Sequence, residues 1–169
     1  MSKTIVDLEN RKIEKNDCGR IKQMIKHGPI DVIVLASGEP PLDGRVFAEL
    51  KRQAAAGTIR VLDAMLLMKD DSGKGWRFDL EDLPPEEAAK VGFIETGTLG
   101  LFDSADAETL IEGMVPGSVV VALAIEHVWA VALVNAMYDA GAELAMNFRV
   151  PALVADEAFA SLEQTYKGG

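Results

Sequence analysis

The chain has 169 residues, room for one ordinary domain and its tails. Hydrophobic residues at 49% and charged residues at 26% mark a globular composition, neither disordered nor fibrous. Twenty-seven acidic side chains against 17 Lys and Arg, a net charge of -10, exclude non-specific nucleic-acid binding, and a single cysteine, Cys18, with two histidines excludes intrachain disulfides and thiolate- or His-rich metal sites. No cofactor is expected.

Residues 1–27 carry seven Lys or Arg and four Asp or Glu, so the remaining 142 residues hold ten cations and 23 anions. A basic N-terminal arm of +3 thus precedes an acidic body of -13. The arm has no uninterrupted apolar stretch of signal-peptide kind, which predicts a cytoplasmic protein. Within it, Ile21, Met24 and Ile25 recur at helical spacing and predict a short helix docking on the body or on a neighbouring subunit, with a frayed arm as the alternative. Gly28-Pro29 marks the join. The expected organisation is an arm over 1–27, a domain over 28–153, and a C-terminal helix and tail over 154–169.

In the body, Asp31–Ser37 is a continuous apolar run of strand length, of the kind found in a buried central strand. Val46, Phe47, Leu50 and Ala54 then fall on one helical face, and Gly57 closes that helix. Ile59–Lys69 reads as a long strand joined by the polar connection 70–75 to a third strand, Trp76–Leu80. Pro84-Pro85-Glu86-Glu87 opens a short helix, and a helix capped by Ser104 or Asp106 reaches Glu112. Pro116-Gly117-Ser118 turns into the apolar strand Val119–Ile125. A helix over His127–Ala140 ends at Gly141, Ala142–Val150 alternates as a half-buried strand, and 156–166 forms a last helix. The apolar stretch Val115–Met137 is long enough to cross a bilayer. Glu126, His127 and the Pro116-Gly117 turn divide it into a strand and a helix instead.

This order predicts an α/β (α+β) fold, a ferredoxin-like βαββ(αα)βαβ sandwich with a short helical insertion and helical extensions at both ends. Right-handed crossovers would place both helices on one face of the sheet. An open flavodoxin-like sheet is the alternative.

The pieces Gly28-Pro29-Ile30-Asp31, Gly57-Thr58-Ile59-Arg60-Val61-Leu62-Asp63, Val115-Pro116-Gly117-Ser118 and Gly141-Ala142-Glu143-Leu144 carry a resemblance. Over about residues 28–153 the chain resembles a widespread bacterial family of small domains of unknown function, some labelled as membrane proteins. The resemblance implies no activity, substrate or site residue. The glycine-zipper segment of the members bearing that label corresponds here to Val91–Phe102, which is short and interrupted by Glu95.

Glu126 and His127, at a strand-to-helix junction with Trp129 two residues on, form the best acid/base or ligand candidate, since ligands of open α/β sheets gather beyond strand ends. The competing reading is structural: a Glu favoured by the helix dipole and a His in the entry turn. Asp63, inside an apolar strand, is a second candidate, to be weighed against a bulge or a pair with Arg60. Ser37-Gly38-Glu39 lacks the remaining glycines of a phosphate loop. Met65, Met68, Met137 and Met146 read as packing residues.

Assembly is the strongest functional expectation. Val61, Met65 and Leu67 lie on one face of the second strand and Leu62, Ala64, Leu66 and Met68 on the other. The His127–Ala140 helix carries an apolar arc of about 200°. A two-layer sandwich leaves one sheet face open, so a partner copy is the expected cover. The chain is therefore expected to be a non-enzymatic homo-oligomer, closed as a dimer or extended as a ring or filament. The alternatives are a small-molecule or stress-related sensing module with a pocket near Glu126 and Trp129, and an enzyme built on Glu126 and His127 with a third polar group converging on them.

Overall fold

A computed structural model describes residues 24–37, 44–78, 85–86, 92, 100–142, 144–145, 147 and 149–167. It contains four strands, β1 (Ile30–Ser37), β2 (Arg60–Lys69), β3 (Gly75–Phe78) and β4 (Ser118–Glu126). Four helices accompany them: α1 (Gly44–Ala55), α2 (Ser104–Gly113), α3 (Ala130–Asp139) and α4 (Ala152–Lys167). The strands form one antiparallel sheet in the order β1-β4-β2-β3, so β1 lies at an edge with alternating burial, not at the centre as its apolar run suggested. The mixed α+β class read from the sequence is the class observed. The chain divides into two compact units, Met1–Ala136 and Met137–Gly169.

The sheet core follows from the residue pattern of β4. Its run from Val120 to Glu126 is buried on both faces, as an interior strand requires. Val121, Leu123 and Ile125 pack with Val61, Ile33, Leu35 and, from α1, Phe47 and Leu50. Val120, Ala122 and Ala124 pack on the other face with Leu62, Met65, Leu67, Phe102 and, from α2, Ala107, Leu110 and Ile111. The two helices thus cover opposite faces of the sheet, α1 one and α2, the helix that sequence reasoning read as an insertion, the other. With the strand order β1-β4-β2-β3 and the helices on opposite faces, the β1-α1-β2 and β3-α2-β4 crossovers are of opposite hand. The two apolar faces of β2 are both covered from within the chain, so β2 itself demands no partner copy.

Local chemistry fixes the ends of these elements. Gly57 takes φ +70°, and the bonds Gly57 N to Ala54 O and Thr58 N to Gln53 O close α1 in a Schellman turn. Asp103, rather than Ser104 or Asp106, caps α2. Its side chain accepts from the Ala105 and Asp106 amides, while the Asp106 carboxylate accepts from the Asp103 amide, a complete capping box. At the other end of α2, Lys69 Nζ donates to the carbonyls of Ile111, which also accepts from the Met114 amide, and of Met114. Helix α4 begins at Ala152, four residues earlier than its polar pattern suggested.

The expected strand over Ala142–Val150 is not formed: its described residues belong to no strand, and Leu144 and Val150 are exposed. Period-2 alternation makes a strand only where an edge accepts it. The expected helix at Pro84–Glu87 lies largely outside the described residues, as do most of the arm and of Val91–Phe102. Among the described residues no helix is long and apolar enough to cross a membrane.

Candidate functional site

The end of β4 places Glu126 beneath the entering chain. Its side chain is 1% exposed, and a buried carboxylate must be paired and hydrogen-bonded. Glu126 Oε1 accepts from the Gly28 amide at 2.8 Å and lies 3.3 Å from His27 Nδ1. Oε2 accepts from Arg60 NH1 at 3.2 Å. Both oxygens are thereby committed to the N-terminal approach and to the start of β2. Arg60 pairs with Glu126, not with Asp63 as one sequence alternative had it.

His127 continues the same arrangement. Its amide donates to Pro29 O at 2.8 Å, extending the β1–β4 ladder by one pair, and Nε2 lies 2.6 Å from Asp31 Oδ2. The imidazole also meets the Trp129 ring edge-on, with centroids 6.4 Å apart. A turn further along α3, Asn135 Oδ1 accepts from the Ile25 amide and Nδ2 donates to the Ile25 carbonyl. One side-chain amide thus satisfies both backbone groups of an arm residue. Gly28 is required by proximity, since a Cβ there would stand 2.1 Å from His127 O.

Together these contacts form a latch. Residues 25–29 are held across the β4-to-α3 junction by Glu126, His127 and Asn135, and Arg60 pairs with Glu126 behind them. The structure places Glu126 and His127 with His27, Asp31, Arg60 and Asn135, and sets Trp129 against the His127 ring. The Gly28-Pro29 break gave the position of the join, but no local signal gave its partners, which are about 100 residues away in the chain.

Asp63 stands apart. It follows the bulge at Leu62 in the β2–β4 register, and its carboxylate accepts from the Ala64 and Phe102 amides at 2.8 and 2.9 Å. It shapes the bulge and ties Phe102 over the core. A groove of about 630 Å³ lies at the opposite end of β4 from Glu126, lined by Val34, Ala36, Leu110, Met114, Val115 and Val120 among others. Among the described residues no cluster of three or more His, Cys, Asp or Glu side chains is arranged to hold a metal ion.

Chemically, the aspartate-held imidazole of His127 is the arrangement of an oriented general base. Glu126, by contrast, is enclosed, with both oxygens engaged by donors of the protein. The geometry is that of an α+β domain whose N-terminal approach is fastened to one end of its sheet. A family model described as a family of unknown function, DUF6325, matches residues 26–165, and the chain belongs to that family. The match begins at the latch and includes every residue of it except Ile25. No curated protein and no solved structure matches the chain significantly.

Proposed function

We propose that this chain is a non-enzymatic protein whose role is to associate with copies of itself. The observation that carries the reading is β1, an edge strand whose Ile30, Val32 and Val34 side chains are 40%, 41% and 46% exposed. Helix α1 covers the Ile33 and Leu35 side of β1, whereas α2 covers β2 and β4 and leaves the opposite side of β1 open. Two further apolar surfaces support it. Trp129, Ala132, Leu133 and Ala136 form an exposed stripe across the start of α3, and Val154, Ala158, Phe159 and Leu162 form another on α4. The enclosed Glu126 supports a structural rather than a catalytic role for the junction.

Light scattering across the micromolar range tests the reading. The expected mass exceeds the 18.2 kDa of one chain and rises with salt, because copies carrying -10 repel each other at low ionic strength. A mass of one chain at every concentration and salt overturns it.

The groove beside Val34 favours a second reading, a binding module for a small apolar ligand. Its volume is of ligand size and its walls are mostly aliphatic. Saturation-transfer NMR with medium-chain fatty acids tests this, and transfer abolished by Val34→Lys is the expected result. Absence of any transfer removes the reading.

A further inference from the structure

We infer that the interface between copies is the outer edge of β1 paired antiparallel with itself, joining two four-stranded sheets into one of eight strands. The inference rests on the self-association reading and names its surface. The phase of the ladder identifies the groups available. His127 N bonds to Pro29 O, so residues 29, 31, 33, 35 and 37 face β4, by the alternation of antiparallel pairs. The N–H and C=O groups of Ile30, Val32, Val34 and Ala36 therefore point outward from the sheet.

Sheet edges are ordinarily protected against such pairing by short length, lysine, proline or a bulge. The other edge of this sheet has those protections: β3 is four residues long, contains Arg77 and follows Lys74, whose ammonium lies over Trp76. β1 has none of them. It runs eight residues in unbroken register with β4, and its one charged side chain is Asp31, held by His127. For two chains of net charge -10, this is the strand edge at which approach brings the fewest like charges together.

Symmetry then selects the register. A two-fold axis normal to the sheet keeps each residue on its own face, so paired residue numbers must sum to an even value. With the axis at Val34, Val34 meets Val34, Val32 meets Ala36, Ile33 meets Leu35, and Asp31 meets Ser37 rather than a second Asp31. Apolar residues oppose apolar residues and the acid opposes a hydroxyl. The open stripes of the two copies become one aliphatic floor between two α2 helices, and the two grooves beside Val34 merge.

The phase supplies the test. Val34→Pro removes an outward N–H and leaves the β4 ladder intact, which an edge strand tolerates. The expected result is a dimer weakened roughly 30-fold or more, from two lost backbone bonds per dimer, with a thermal midpoint close to wild type. Val34→Cys in a Cys18→Ser background provides a second readout independent of proline. Opposed Cα atoms about 5.5 Å apart fall within disulfide range, so a covalent dimer should form on mild oxidation, and Lys51→Cys on α1 should not form one. If Val34→Pro associates as tightly as wild type, or Val34→Cys fails to cross-link while the mass remains dimeric, edge pairing is overturned and self-association through another surface stands. A wild-type chain monomeric throughout overturns both.

Discussion

Replacing Gly28 by alanine probes the latch at its tightest point. The added Cβ would stand 2.1 Å from His127 O and 2.9 Å from its carbonyl carbon. That carbonyl is fixed: it accepts from the Ala130 amide at the start of α3, and the His127 amide is held by Pro29 O. Relief to an ordinary contact requires the approach to move by about 1.3 Å or more, too far for the 2.8 Å bond from the Gly28 amide to Glu126 to survive. Overpacking costs about 1–3 kcal/mol and a lost bond to a charged group about 1.5–3 kcal/mol, so a total near 3–5 kcal/mol is expected. This is a large share of the roughly 5–15 kcal/mol by which domains are stable. Urea unfolding followed by tryptophan fluorescence gives the loss, and trypsin cleavage after Lys26 reports release of residues 25–29. As a comparison, Gly57→Ala meets nothing within 4 Å but keeps φ at +70°, and should cost about 1 kcal/mol. A Gly28→Ala protein within about 0.5 kcal/mol of wild type and equally resistant to trypsin would refute the latch.

Other perturbations have smaller, separable outcomes. Arg60→Ala takes the guanidinium from a carboxylate that is 1% exposed, while the Gly28 amide and His27 remain, so a loss of about 1.5–3 kcal/mol is expected in the same urea assay. Asp103→Ala removes the cap of α2 and should cost about 1 kcal/mol, read as a lower thermal midpoint with the sheet unchanged by circular dichroism. Hydrogen bonds from Arg52 and Gln53 hold the Glu49 carboxyl down to about 2 from an ordinary 4.5. A carboxyl lowered by folding stabilises the folded state above its unfolded value, and this contribution is lost as pH falls from about 4.5 through about 2. Carboxyl-carbon NMR should place the Glu49 midpoint near 2, and Arg52→Ala should raise it.

Much of this architecture was legible because it rests on local patterns. The continuous apolar run 31–37, the helical face of Val46, Phe47 and Leu50, and the glycines at 57 and 141 each encode their element through burial or backbone conformation. The strand order and the placing of α2 on the second face were not legible, because they depend on where the long connection after β3 travels. The alternation over 142–150 misled because alternation alone supplies no backbone partner, and a strand exists only when it is paired. At the candidate site, Glu126 and His127 stood out as polar residues interrupting an apolar stretch. Their partners Gly28, Asp31 and Arg60 belong to distant segments that only folding brings together. Asp63 was legible as an anomaly in an apolar strand, and the bulge beside it supplies the physical reason.

The central claim is best tested by amide exchange along β1, read residue by residue by NMR at high and low protein concentration. The Ile33 and Leu35 amides face β4, whereas those of Val32, Val34 and Ala36 face outward. Self-pairing through β1 predicts that both sets are protected in the concentrated protein, and that dilution releases only Val32, Val34 and Ala36. Free exchange of those three amides in a sample whose mass is that of a dimer would contradict it.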